Sequence, residues 1–282
     1  MLILACGPLG NVGDTTIRVK EALESAPYIA AEDSRKFTRL VHDLGVRYSG
    51  KVISYFEGNE HERIDQLTQI LLSGSDLLVI TDAGAPGISD PGYRLIQRAI
   101  EHNVPIKVLP GPSAVTTALL LSGLATDRFC FEGFSPRASG ARRAWYEKLA
   151  IEPRTIIFFE APHRLQESLT DALALLGPQR RAAICREMTK TYEETIRGTL
   201  EELLEWSLGR EILGEISMVI EGYDVDSQSF TPEQLVVLVQ DREGAGISRK
   251  EAISSVAKDL NLPKRLVFDA MVDSKVLKIE KN

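Results

Sequence analysis

Short runs of apolar residues alternate with longer amphipathic segments along most of this chain. The run Leu77–Thr81 is typical of a buried strand, whereas apolar residues three and four apart in Glu60–Ser73 predict a helix. Strand and helix patterns alternate in this way as far as Leu121, which predicts a layered α/β domain with a mainly parallel sheet. Further strands are expected at Phe129–Phe134, Thr155–Phe159, Arg181–Arg186, Thr195–Leu200 and Gly214–Gly222.

The pattern changes after the polar stretch Asp224–Phe230. Three short amphipathic helices follow, the second starting at the capping-box sequence Ser248–Glu251. We therefore expect α/β domains at 1–112 and 113–224, and a helix-turn-helix-like module at 231–282. The module carries several basic residues and is either a nucleic-acid contact or a stabilising appendage: Arg249, Lys250, Lys258, Lys264 and Arg265.

The segment between the strand Leu77–Thr81 and the next helix contains three glycines, two prolines and two aspartates. This loop, Asp82–Gly92, is longer than a plain strand-to-helix connection requires. Ligands of open α/β sheets bind outside the carboxyl ends of such strands, where glycine lets the backbone approach them closely. The loop is thus a candidate ligand site, with a simple tight connection as the alternative.

Glycines also follow the first predicted strand, at Gly7, Gly10 and Gly13. They resemble a dinucleotide-binding fingerprint, and Glu32 ends the next strand where a ribose-binding acid is expected. The spacing differs from that fingerprint, however, and Pro8 occupies its first tight turn. The loop could therefore bind a nicotinamide cofactor. Alternatively, it only leads into a helix that Thr15 or Thr16 caps and that turns Ile17 inward.

Composition narrows the function classes. The chain is 44% hydrophobic and 26% charged with a formal charge of −7, which is typical of a soluble protein and counts against a non-specific nucleic-acid coat. No apolar run reaches the roughly 20 residues that span a bilayer, and no basic region opens a signal peptide. Three scattered cysteines predict free buried thiols in a cytoplasmic protein, and the absence of CxxC or HExxH predicts no metal site.

A basic and aromatic segment follows the strand Phe129–Phe134. Arginine contacts phosphate in a bidentate manner and aromatic rings stack on bases, so this segment is a candidate RNA contact. The alternative is a solvated helix face with Trp145 packed inward. The candidate RNA-binding arginines, which include one on an earlier helix and one after a later strand, are Arg35, Arg137, Arg142, Arg143 and Arg164.

Ionisable residues lie at the ends of two later strands, as the clusters Glu160/His163/Arg164 and Glu187/Lys190. They could face one cleft, although each alone is more often structural. Ser113 precedes an almost wholly apolar helix, Ala114–Leu121, which is expected to be buried. Its hydroxyl could cap that helix or bind a ligand.

Eight motifs, in this order and spacing, resemble the tetrapyrrole-methylase-like family of S-adenosylmethionine enzymes. They are CGPLGNVGD, AAEDSR, TDAGAPGISDPGY, LPGPSA, FEGFSPR, FFEAPHR, REMTKTYEE and GEISMVIEG. The closer resemblance is to the branch that methylates the 2′-hydroxyl of a cytidine in small-subunit ribosomal RNA. One departure is Cys6–Gly10, where a Thr-Pro-Ile-Gly-like run is expected.

The resemblance implies two α/β domains with mixed sheets, a helical module and a homodimer. It also implies S-adenosylmethionine held between the domains and ribosomal RNA or the assembled small subunit as partner, without metal or membrane. Carried over residue by residue, donor contacts fall on Pro8, Asp82, Gly84, Ala85, Ile88, Ser113, Ala114, Phe159, Met188 and Ile216.

Methylation of a ribose hydroxyl needs a base or a cation beside the developing alkoxide. The candidates are His163, Glu187 and Lys190, with Asp33 as a further base, and histidine is the residue type best suited to act as a base near neutral pH. Two other functions stay open: a tetrapyrrole-ring methyltransferase of the same fold and a non-catalytic RNA-binding assembly factor.

Overall fold

The computed structural model describes residues 1–224, 230–260 and 262–279, with side chains up to residue 272. Two compact units form within these residues. The first comprises Met1–Thr117 and Glu187–Glu194, and the second comprises Ala118–Arg186 and the described residues from Thr195 onward. The segment Glu187–Glu194, expected in the second domain, thus packs with the first unit, and the predicted domain bounds 1–112 and 113–224 stay a prediction.

The first unit contains a five-stranded sheet in the order β3-β2-β4-β1-β5, with every adjacent pair parallel. The central strands β1 and β4 are wholly buried, as expected for a parallel sheet covered on both faces. The carboxyl ends of all five strands consequently lie along one edge. The strands are β1 (Leu2–Ala5), β2 (Tyr28–Ala31), β3 (Lys51–Ser54), β4 (Leu77–Ile80) and β5 (Ile106–Leu109).

Five helices follow these strands: α1 (Ile17–Ser25), α2 (Ser34–Asp43), α3 (Glu60–Leu72), α4 (Tyr93–Glu101) and α5 (Ala114–Ser122). Thr16 caps α1 by accepting a hydrogen bond from the Val19 N–H. Ile17 was predicted to face inward and is 75% exposed, because the buried face of α1 is formed by Val19 and Leu23. The expected burial of α5 is wrong at Leu120, which is 74% exposed.

The second unit contains a mixed five-stranded sheet in the order β6-β7-β10-β8-β9. Strand β10 runs antiparallel to both of its neighbours, whereas β6 and β7 are parallel. The predicted mixed sheet and the predicted edge strand β9 are therefore confirmed. The elements are β6 (Phe129–Phe134), α6 (Ser139–Leu149), β7 (Thr155–Glu160), α7 (Leu165–Leu176), β8 (Arg181–Arg186), β9 (Glu194–Thr199), α8 (Leu200–Ser207) and β10 (Ile216–Ile220).

Three helices complete the described chain: α9 (Pro232–Gly244), α10 (Arg249–Asp259) and α11 (Lys264–Ile279). They share a small hydrophobic core of their own, which includes Leu235, Val256 and Val267. Thr231 forms a capping box with Gln234 at α9, and Ser248 caps α10. Part of the linker predicted before this module, residues 225–229, lies outside the described residues.

Several basic side chains of this helical module are paired with carboxylates. Arg249 contacts Glu243 at 2.6 Å, and Arg265 contacts Asp269 at 3.1 Å. Such pairs reduce the positive charge available to a nucleic acid, although surface pairs exchange readily. A nucleic-acid role for the module stays a prediction.

The three cysteines are free and buried, as predicted. Burial raises the pKa of Cys130 to about 11, so that this thiol stays protonated at neutral pH. Among the described residues, no group of His, Cys, Asp and Glu side chains could hold a metal ion. No described helix combines the length and the apolar character needed to cross a bilayer.

Candidate active site

The loop between β4 and α4 has a backbone that only glycine adopts readily at several positions. Gly84, Gly87 and Gly92 have φ angles of 69°, 85° and 136°. Two hydrogen bonds close the loop on itself, from the Gly87 N–H to the Pro91 carbonyl at 3.1 Å and from the Ile88 N–H to the Ala85 carbonyl at 3.2 Å. The loop is therefore a shaped structure rather than a simple connection, and it leaves the Ile88 side chain half-exposed.

The first glycine loop joins this second loop directly. The Gly7 N–H donates to the Gly84 carbonyl at 2.8 Å, in an isolated antiparallel bridge. A Cβ at Gly7 would lie 3.3 Å from the Thr81 carbonyl oxygen, so the close approach favours glycine. The structure thus brings together four predicted donor-binding residues at the carboxyl edge of the first sheet: Pro8, Asp82, Gly84 and Ala85.

The loop after β5 reaches the same edge. A Cβ at Gly111 would lie 3.0 Å from the Cys6 Cβ, which places this loop against the end of β1. Ser113 comes directly before α5, and its carbonyl accepts the Thr117 N–H at 3.0 Å. The predicted donor residues Ser113 and Ala114 therefore begin a helix beside the first two loops.

Glu32 and Asp82 connect the ends of β2 and β4. The Glu32 carboxylate accepts the Asp82 N–H at 3.1 Å, and the Asp82 carboxylate accepts the Asp33 N–H at 3.3 Å and pairs with Lys36 at 2.8 Å. The Asp33 carboxylate caps α2 through the Arg35 N–H at 2.7 Å, and these bonds lower the pKa of Asp33. Asp33 is thus a weaker base than an uncapped aspartate, and both acids accept hydrogen bonds from the protein backbone.

Burial raises the pKa of Glu32, which makes this carboxylate a small cost to folding at neutral pH. For an acid with a raised folded-state pKa, stability falls as the pH rises from its ordinary pKa through the raised value. Glu32→Gln retains the acceptor oxygen and removes that fall. We expect its melting temperature to exceed that of the wild type by about 1–2 °C at pH 7 and by less at pH 4.5.

Thermal unfolding between pH 4.5 and pH 8 tests this expectation, with Glu62→Gln on the exposed side of α3 as the control. A difference between Glu32→Gln and wild type that is constant across the pH range would contradict it.

The segment Glu187–Glu194 packs against the first glycine loop within the first unit. The Asn11 N–H donates to the Thr189 hydroxyl at 3.2 Å, and a Cβ at Gly10 would lie 2.2 Å from the Lys190 Cγ. The Lys190 ammonium lies 2.9 Å from the Glu187 carboxylate. The structure thus places both of these predicted catalytic residues beside the loop that contains Pro8.

Glu187 and Thr189 are non-glycine residues with φ angles of 52° and 65°. A left-handed conformation at such residues stores backbone strain and is often found at functional sites. Between them, Met188 is buried as part of the same tight turn. The first unit therefore holds Lys190, Glu187 and Met188 in a strained turn that tertiary contacts stabilise.

In the second unit, Glu160 is buried at the end of β7 and pairs with Arg164 at 2.8 Å. The Ser135 hydroxyl donates to the Glu160 carboxylate, and Arg164 donates to the Ser135 carbonyl at 3.2 Å. Arg164, predicted to contact RNA, is instead largely buried and links the ends of β6 and β7. His163 lies on the same short turn and is exposed.

The prediction that Arg142 contacts RNA is wrong. Arg142 is 1% exposed on α6 and donates to Asp171 of α7 at 2.8 Å. Arg143 contacts the same carboxylate at 3.0 Å but is half-exposed. Trp145 packs against Phe158 with ring centroids 5.1 Å apart, which confirms the alternative of an inward tryptophan. Arg35, Arg137 and Arg143 are the three candidate arginines with exposed side chains.

The predicted donor residues Phe159 and Ile216 lie on neighbouring strands of the second sheet, where Phe159 pairs with Ser217 and Ile216 with Glu160. The Phe159 ring packs against Phe131 and Phe134, with centroids 4.9 and 5.4 Å away. Sequence reasoning missed Thr189 and the bridging role of Glu32. Their only signal was their position at strand ends.

Residues 1–204 match the family described as Tetrapyrrole (Corrin/Porphyrin) Methylases. This chain is a member of that family. The methylase is similar over nearly its whole length to proteins named ribosomal RNA small subunit methyltransferase I. The protein of Mycobacterium tuberculosis is 45% identical over 275 residues, covering 97% of this chain and 95% of that protein. The protein of Halalkalibacterium halodurans is 39% identical, covering 95% and 93%.

Solved structures support the fold of the methylase. The methyltransferase CobJ superposes with a TM-score of 0.60 at 18% identity, covering 78% of this chain and 93% of CobJ. Uroporphyrin-III C-methyltransferase from Thermus thermophilus, solved with S-adenosylhomocysteine, has a TM-score of 0.53 at 19% identity, covering 77% and 95%. The predicted tetrapyrrole-methylase-like fold is therefore confirmed.

Proposed function

We propose that this methylase transfers a methyl group from S-adenosylmethionine to the ribose 2′-hydroxyl of a cytidine in small-subunit ribosomal RNA. The observation that carries the proposal is the near-full-length similarity, at 45% identity, to proteins named ribosomal RNA small subunit methyltransferase I. The similarity includes the helical module beyond the family match at residues 1–204. A tetrapyrrole substrate has no comparable support, since the solved tetrapyrrole enzymes are below 25% identical.

The loops of the first unit suit the methyl donor. Gly84 has a φ of 69°, is buried and accepts the Gly7 N–H with its carbonyl, while a Cβ at this position would lie 3.6 Å from Leu9 Cδ2. The two glycine loops thus form one fixed backbone surface at the sheet edge, and the half-exposed Ile88 offers an apolar contact to the donor. The donor, when bound, supplies a methyl group made electrophilic by its sulfonium. The proposed contacts are Pro8, Asp82, Gly84, Ala85, Ile88, Ser113, Ala114, Phe159, Met188 and Ile216.

Lys190 is proposed to stabilise negative charge on the acceptor oxygen. Its ammonium is held by the Glu187 carboxylate at 2.9 Å, and its aliphatic chain lies over Gly10. A cation fixed in this way lowers the free energy of a developing alkoxide. Glu187 orients Lys190, and the exposed His163 is proposed as the group that takes the proton.

Exposed arginines are proposed to bind the RNA backbone, namely Arg35, Arg137 and Arg143. Arg137 follows β6 in the loop that Glu160 and Arg164 hold through Ser135. An arginine on a fixed loop loses little freedom when it contacts a phosphate. The methylase is further proposed to be a cytoplasmic homodimer, in which a partner would cover exposed apolar residues such as Leu120 and Phe134.

Transfer of a labelled methyl group tests the proposed function. Purified methylase should label small ribosomal subunits from cells that lack it, and mapping should place a 2′-O-methyl mark on one cytidine. Binding of S-adenosylhomocysteine without any label in RNA would favour an assembly factor. Label in a tetrapyrrole instead of RNA would overturn the RNA substrate.

Arg137→Gln should weaken binding to small-subunit RNA about three- to tenfold and reduce the slope of log K against log salt by about one. The cause is the loss of one phosphate contact. Fluorescence anisotropy from 50 to 300 mM salt measures both quantities. Arg181→Gln, which removes an exposed arginine at the start of β8, is the matched control and should change neither. An unchanged slope in Arg137→Gln would remove Arg137 from the interface.

A further inference from the structure

Glu60 is the first residue of α3, the helix that follows β3, and it contacts the loop Asp82–Gly92. One carboxylate oxygen, Oε1, accepts two hydrogen bonds: from the Gly92 N–H at 3.1 Å and from the Tyr55 hydroxyl at 2.7 Å. The second oxygen, Oε2, lies 3.4 Å from Arg94 Nε. Glu60 thus connects the end of β3, the start of α3 and the end of the glycine loop.

The environment of Glu60 makes these bonds strong. Tyr55 is 1% exposed, and the Glu60 side chain is 12% exposed. Burial and the bond to Glu60 raise the pKa of Tyr55, so its hydroxyl stays a donor at any working pH. Hydrogen bonds to a charged group away from water contribute more than exposed ones.

Gly92 is where the loop ends and α4 begins. Its φ is 136°, and because Gly92 is the N-cap residue, α4 begins without a side-chain cap. The Gly92 carbonyl accepts the Ile96 N–H at 2.9 Å, so the Glu60 carboxylate binds the N–H just before the first turn. A negative charge there stabilises the start of the helix. Glu60 therefore satisfies the N–H of the residue that precedes α4, as the carboxylate of a capping box does from within a helix.

The position of Gly92 fixes the rest of the loop. A Cβ at Gly92 would lie 3.2 Å from the Gly87 nitrogen, so these two glycines are in close backbone contact. The Gly87 N–H in turn donates to the Pro91 carbonyl. A shift of Gly92 must therefore move Gly87 and its neighbour Ile88.

We propose that Glu60 is a positioning residue that sets the shape of the loop Asp82–Gly92 for the methyl donor. The proposal rests on the proposed function, in which this loop contacts the donor. Glu60 does not touch the donor itself. It acts through the Gly92 backbone, and Tyr55 and Arg94 hold it in place.

Binding of S-adenosylhomocysteine, measured by calorimetry, tests the proposal. Glu60→Ala should raise the dissociation constant about tenfold, because it removes a charged acceptor from Gly92 and Tyr55. Glu60→Gln keeps an acceptor oxygen and should stay within about threefold of the wild type. Glu62→Ala, on the exposed side of the same first helical turn, is the matched control and should bind as the wild type does. Tyr55→Phe, which keeps the Glu60 charge, should fall between Glu60→Gln and Glu60→Ala.

Two further measurements separate positioning from general destabilisation. Hydrogen exchange in Glu60→Ala should accelerate at the amides of residues 84–92 other than the two prolines and stay unchanged in β1. The donor KM should rise about tenfold while kcat at saturating donor changes less than about threefold. If the donor protects the loop amides from exchange in the wild type but Glu60→Ala binds the donor equally well, only the positioning role is overturned. Donor binding that leaves those amides unprotected in the wild type overturns the proposed donor site, and the positioning role with it.

Discussion

Lys190→Ala should lower kcat for RNA methylation by about 100- to 1000-fold and change the S-adenosylhomocysteine dissociation constant by less than about threefold. The expected loss follows from removing the fixed cation that we propose lies beside the developing alkoxide. The ammonium of Lys190 is held at 2.9 Å by Glu187, within a turn that carries two strained residues. Single-turnover methyl transfer measures kcat, and calorimetry measures donor affinity.

Lys107→Ala serves as the control, since Lys107 is an exposed lysine of β5 in the same unit. Gly10→Ala offers a second route to the same result. A Cβ there would lie 2.2 Å from the Lys190 Cγ, so the lysine must move although its charge remains. Normal turnover in both Lys190→Ala and Gly10→Ala would exclude Lys190 from the mechanism.

Arg142→Ala should lower the free energy of unfolding by about 3 kcal/mol, because it leaves the buried Asp171 carboxylate without its nearest partner. Arg142 and the Asp171 side chain are 1% and 8% exposed, with an Nε–Oδ2 distance of 2.8 Å. Urea unfolding followed by circular dichroism measures the loss. RNA binding per folded molecule should be unchanged, since Arg142 does not reach the surface.

Arg143→Ala is the matched control for that experiment. Arg143 contacts the same carboxylate at 3.0 Å but is 49% exposed, so solvent screens the pair. Its loss should cost less than about 1 kcal/mol. Equal destabilisation by the two substitutions would contradict the view that burial makes Arg142 the structural partner of Asp171.

Local patterns were sufficient to predict most of the strands and the glycine-rich loop after β4. The apolar run Leu77–Ile80 and the turn residues behind it act over short distances, and the structure places them as expected. The two adjacent arginines of α6 show the limit of this reasoning. Either could have faced inward, and the choice depends on Asp171 and Glu167 of another helix. Such a pairing leaves no mark on the local sequence.

The predicted location of Glu187 and Lys190 was incomplete for the same reason. Their sequence neighbourhood, directly after β8, indicated the second domain. Contacts with the first glycine loop, through Asn11 and Gly10, place the segment in the first unit instead. The strained conformations at Glu187 and Thr189 also depend on those tertiary contacts, so propensity alone could not reveal them.

The return of Glu187–Glu194 to the first unit has a consequence for synthesis of the protein. A ribosome produces Met1–Thr117 long before it reaches Lys190. Until then the nascent first unit lacks the turn that packs on Gly10, and its first glycine loop is without the contacts of Thr189 and Lys190. The edge formed by the proposed donor residues of the first unit is therefore complete only after β6, β7 and β8 have been translated, so a chain that ends before Glu187 lacks one part of it.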